Sequence, residues 1–195
     1  MTQHAMSTLG FRVSLILAAY ISVIVVLGLI QRVLLGVLFD AIASGSWLLT
    51  ATSITSINSI AAVILALSSH TLFNVIAPTH MARCSEAPTP DCMLTDLTLR
   101  FKTLVALAIL PILILALLAG SMVRLGLQAT PSTLLSSLAY GVYNIYGVLE
   151  LAGYTIAYTT PLVGGTRAKV TLALLAITMI TLGALIETKV ILGTS

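Results

Sequence analysis

The sequence predicts an all-α membrane protein, a polytopic bundle of about five transmembrane helices. Of its 195 residues, 58% are apolar and 8% charged, and the mean hydropathy is +1.12. A soluble domain carries about 45–50% apolar and about 25% charged residues. Nine Lys/Arg and six Asp/Glu are too few to keep that much apolar surface in water. The apolar runs are also long and unbroken. A hydrocarbon core of about 30 Å needs about 20 such residues per helix, and the period-two alternation of a membrane β-barrel is absent. A soluble globular domain, a disordered tail and a disulfide-dense secreted module are therefore excluded. The net charge of +3 comes without any Lys/Arg-rich run, so no nucleic-acid surface is expected either.

The spans follow in order. The first starts at Phe11 and runs through Ile30, with an extension to Phe39. Ala41-Ile42-Ala43 mimics a signal-peptidase site, but the apolar stretch before it is too long for a signal sequence, so a retained helix is expected. The second span lies within Trp47 to Ala77, and the third runs from Thr103 to about Met122, with a kink expected at Pro111. The fourth covers about Leu134 to Tyr158 and the fifth about Val170 to Leu192. The whole chain reads as one transmembrane domain, with a polar loop over residues 78–102. Neither a repeat nor an inverted repeat is apparent.

Lys/Arg bias gives the orientation. With the N-terminus inside, the cytoplasmic segments hold Arg12, Arg83, Arg100, Lys102, Arg167 and Lys169. The outer segments hold Arg124 and Lys189, with Arg32 near the end of the first span. This favours a multi-pass protein of the cell membrane with the N-terminus inside and the C-terminus outside. Cys84 and Cys92 pull the other way. They flank a turn-forming stretch in the polar loop and are either a disulfide or two free thiols. A disulfide normally means an oxidising compartment, although hyperthermophiles also keep them in the cytosol. A C-x₇-C spacing with only His80 nearby is no zinc signal, so no metal is expected.

Ionisable groups at membrane depth are functional candidates because they are costly there. Glu86, Asp91 and Asp96 fall in the loop. Asp40 follows Arg32 by about two helical turns, which suggests a structural pairing or snorkelling. Glu150 stands in the middle of the fourth span. If that span is one helix, Tyr143, Tyr146, Gly147, Glu150, Tyr154 and Ala157/Tyr158 share one stripe. Gly141, Gly147 and Gly153 add places for close backbone approach. A face with a carboxyl and several phenols is expected to look at another helix, a wet cavity or a partner subunit, not at lipid. Glu187 is the second intramembrane acid, near the outer end of the last span. In the second span, Asn58, His70 and Asn74 add polarity; His70 is expected to be a hydrogen-bonded core or interface residue. Most Ser and Thr are expected to bond back to their own helices.

Tyr146-Gly147-Val148-Leu149-Glu150-Leu151-Ala152 resembles the "His-Gly-(apolar)₂-Glu-(apolar)₂" signature of the stage II sporulation protein M-like family. Gly183-Ala184-Leu185-Ile186-Glu187 is similar to that family's closing "Ala-Ala-x-Ile-Glu" element. The resemblance covers roughly residues 135–192 and makes Gly147, Glu150 and Glu187 the family-like positions, with Tyr146 where the family usually has His. It implies a small polytopic membrane protein that works as an accessory component. It implies no catalytic mechanism.

The motifs of hydrolases, metalloproteases and phosphate-binding loops are missing, and three histidines offer no haem ligand set. No enzyme activity and no cofactor are expected. The leading expectation is a scaffold or accessory subunit in the bilayer, bound laterally to copies of itself or to other membrane subunits. The alternative is a transporter or channel component in which Glu150 and Glu187 bind a cation or a proton.

Overall fold

The computed structural model describes the backbone of residues 2–85, 89–124 and 126–193, and the side chains of these except residues 2–13, 83 and 124. Glu86 and the side chains of His4, Arg12, Arg83 and Arg124 lie outside the described residues. Among the described residues there are helices and short connections but no strand.

Helix α1 (Thr2–Ala43) is built from Leu, Ile, Val and Ala with no proline to interrupt it. It ends where Gly45 takes a φ of +67°, a left-handed turn that favours glycine. The chain then reverses into α2 (Trp47–His70), which passes without a break through a π-helical segment (Thr71–Ile76) into α3 (Ala77–Cys84). Helix α4 (Pro90–Arg100) folds back on α3 and is tied to it by the Cys84–Cys92 disulfide, Cα–Cα 5.5 Å. Helix α5 (Lys102–Arg124) continues unbroken through Pro111, which is exposed. After it come α6 (Pro131–Tyr143), α7 (Ile145–Thr159), one 3₁₀ turn and α8 (Thr166–Leu192).

Among the described residues, four helical stretches are long and apolar enough to cross a bilayer: Ser14–Ala43, Trp47–Ala82, Lys102–Val123 and Thr166–Leu192. The protein is a multi-pass membrane helix bundle. The fourth span expected over residues 134–158 is not one helix. Asn144 sits in an extended conformation (φ −106°, ψ 138°), and its side-chain amide donates to the Tyr140 carbonyl at 2.6 Å. A side chain that takes a carbonyl from the ladder competes with helix continuation. The result is two helices of 13 and 15 residues, each too short to span alone.

Paired residues fix the directions. Tyr20 Oη meets Ser68 Oγ at 2.7 Å, so α1 and α2 run antiparallel. Asn58 faces Glu150, and Asn74 Nδ2 donates to the Pro161 carbonyl at 3.2 Å, so α7 runs parallel to α2. One core cluster (Leu65, Phe73, Ala106, Leu110, Tyr158, Leu162) joins α2, α5 and α7; a second (Ala62, Ala157, Ala176, Ile180) joins α2, α7 and α8. Helix α7 is therefore central although it is short. Helix α8 runs back along it and ends at the opposite end of the bundle from the start of α1.

Most membrane hydroxyls bond back one turn, as expected: Ser22 to Ala18, Ser56 to Thr52, Thr155 to Leu151 and Thr188 to Ala184. Arg32 and Asp40 do not pair with each other, because two turns of separation exceed a side chain's reach along a helix; both are exposed, which leaves the snorkelling alternative. Among the described residues the ion pair is Asp96–Arg100, 2.9 Å, on α4. His70 contacts Asn74 Nδ2 at 3.4 Å and is exposed, so of the core and interface positions expected for it the core one is not taken; the buried positions nearby are Leu65, Ser69 and Phe73.

Candidate functional site: a carboxyl pair between two helices

Glu150 projects from the second turn of α7 toward α2 and α8. One of its oxygens, Oε1, accepts a hydrogen bond from Asn58 Nδ2 at 2.5 Å. Its carboxyl lies beside that of Glu187 on α8. Both glutamates are half-buried. Two intramembrane acids, 37 positions apart, thus meet inside the bundle, with an amide from a third helix completing the group.

Close packing of α7 on α8 makes this contact possible. A Cβ at Gly183, one turn before Glu187, would lie 2.8 Å from Glu150 Cγ and 2.9 Å from the Tyr146 carbonyl oxygen. Only a residue without a side chain lets the two backbones approach so far. Gly147 does the same for the bend: a Cβ there would run into the backbone carbonyl of Gly141. The approach folds the end of α6 back over the start of α7, where Tyr146 is buried.

Beside Glu150 lies a cavity of about 240 Å³. Its polar wall groups are Gln31 of α1, Asn58, Ser121 of α5, Ser137 of α6, Glu150 and Tyr154. The rest of the wall is aliphatic. At about 30 Å³ per water in the liquid, it has room for several waters or one small solute. Among the described residues no Lys, Arg or His lines it. Two carboxylates side by side repel one another, so the pair is a candidate proton-holding group.

The structure brings together Glu150, Glu187, Tyr146, Gly147 and Tyr154. Tyr143 does not join them. It is 89% exposed at the end of α6, and the break at Asn144 removes it from the stripe on α7. Cys84 and Cys92 are bonded to each other, which takes both sulfurs out of any ligand role. His80 beside them contacts Thr95 Oγ1 at 3.0 Å and Cys84 Sγ at 3.5 Å.

Sequence reasoning missed Gln31 and Gly183. Gln31 is only 4% exposed and stands in a long apolar run, a signal hidden by the charge of its neighbour Arg32. Gly183 lies one helical turn from Glu187, the same small-residue spacing that singles out Gly147 near Glu150. No family model, curated protein or solved structure matches this chain, so any role must be argued from the carboxyl pair and its cavity.

Proposed function

We propose that the protein is a component of a proton-coupled membrane transporter or channel, with Glu150 and Glu187 as its proton-binding pair. The observation that carries this reading is the meeting of two acids from separate helices beside a cavity inside a membrane bundle. Acids in such positions characterise proton relays and ion pathways. The positions that resemble the stage II sporulation protein M-like family, Gly147, Glu150 and Glu187, are the ones that converge here, which lends the same site weight. The polar face of α7 is turned inward onto α2, α5 and α8, which favours an internal role for the pair; a scaffold whose polar helices pair within the protein is the alternative reading.

The test is proton flux in proteoliposomes under an imposed pH gradient. The wild type is expected to dissipate the gradient, and Glu150→Gln and Glu187→Gln are each expected to slow it at least tenfold while keeping the helical circular dichroism spectrum. Wild-type vesicles that hold the gradient as long as empty ones would overturn the reading.

A further inference from the structure

Tyr154 lines the cavity beside Glu150, and further polar groups follow it along α7. Tyr154 belongs to two environments: it lines the cavity, and it packs against the core cluster that encloses Tyr158. Glu150, Tyr154 and Tyr158 recur every fourth residue, so they stack along one side of α7 with about 6 Å of rise between neighbours. Tyr158 is fully buried, and its hydroxyl has no hydrogen-bond partner. The same holds for Ser69 on α2. Ser69 stands four residues after Leu65 of α2 and four before Phe73 of the π-helical segment, both clustered with Tyr158. The two unpartnered hydroxyls therefore share one helix contact. The Tyr20–Ser68 hydrogen bond lies next to Ser69 along α2, and the π-helical segment begins two residues after Ser69.

A phenylalanine and an alanine would fill these positions without burying an unsatisfied group. Two such hydroxyls at one contact, in line with a carboxyl pair, point to a species that bonds oxygens in sequence, namely water carrying a proton. We propose that Tyr154, Tyr158 and Ser69, with intervening water, form a relay that moves protons between the Glu150–Glu187 pair and the far half of α7. The inference rests on the carboxyl-pair reading and extends it with a route. In each step an oxygen accepts a proton and releases its own O–H proton to the next. Glu150 becomes a carboxylate when it gives up its proton and is reprotonated from the cavity. One proton advances, only O–H bonds form and break, and rotation of each hydroxyl resets the chain.

Tyr158→Phe and Ser69→Ala each remove one oxygen from a site where it has no partner. Both variants, reconstituted alongside the wild type and Glu150→Gln, are expected to keep the wild-type melting temperature. Each should cut proton flux at least fivefold and reduce the slowing of flux in D₂O. If both carry wild-type flux while Glu150→Gln carries none, the relay is overturned and the carboxyl-pair reading stands. If both melt lower, the hydroxyls are structural and the relay is again overturned. If the wild type itself carries no flux, the carboxyl-pair reading fails and takes the relay with it.

Discussion

At Glu150, the amide of Asn58 and the carboxyl of Glu187 set limits on which substitutions the site can absorb. A glutamine at position 150 keeps the shape of the side chain, can still accept from Asn58 and can donate to Glu187. Glu150→Gln is therefore expected to unfold within about 0.5 kcal/mol of the wild type in an SDS titration, the usual range for a change that leaves no buried group orphaned. Asn58→Leu is different. It deletes the donor to Glu150 Oε1 and leaves that oxygen facing hydrocarbon. Interhelical hydrogen bonds in membrane proteins are worth about 0.6 kcal/mol on average and up to about 1.7. This one is short and joins an amide to an acid, so a loss of about 1 kcal/mol or more is expected in the same titration. A stable Asn58→Leu would show that the amide does not hold the acid in place.

At the scale of helices, glycine placement and one asparagine decide the arrangement. Gly183→Ala puts a methyl group 2.8 Å from Glu150 Cγ and 2.9 Å from a backbone oxygen of α7. The side chain can move, but the backbone cannot without separating the helices. Overpacking of this kind costs about 1–3 kcal/mol, and Gly183→Ala is expected to lose that much in the SDS titration. Gly36→Ala on α1, with nothing within 4 Å of its Cβ position, is expected to be neutral or slightly stabilising. The α3–α4 hairpin is closed by the disulfide and by the Thr95–His80 contact. Closing a loop of about eight residues restricts the unfolded chain by about 2.5 kcal/mol on the chain-entropy account. Reduction should therefore speed amide hydrogen exchange in residues 77–100 and leave α7 and α8 protected. Uniform acceleration along the chain would show that the hairpin is not a separate unit.

Over the whole molecule, the long helices were legible from the apolar runs, whereas α3 and α4 form in the stretch read as a polar loop, and the two intramembrane acids stood out because each is costly where it lies. The sequence also suggested that the Glu150 face avoids lipid. The break at Asn144 was not legible, since the composition on either side is that of one continuous span, and the bend depends on one amide capturing the Tyr140 carbonyl. Nor was the place of Gln31, because α1 is apolar on all sides and its rotation is set only by packing on α2. Orientation is the property on which chain and fold pull apart. The paired helix directions bring exposed Arg100, Arg167 and Lys169 to the same end of the bundle as the Cys84–Cys92 hairpin. Positive charge holds that end inside during insertion, whereas a disulfide is more at home outside. Charge acts first, while the chain is still being threaded, so the basic end with its hairpin is expected in the cytoplasm. Intact cells treated with a membrane-permeant reductant and then an impermeant maleimide should leave the two cysteines unlabelled until the membrane is permeabilised. Labelling of intact cells would invert the topology and place the C-terminal end of α8 inside.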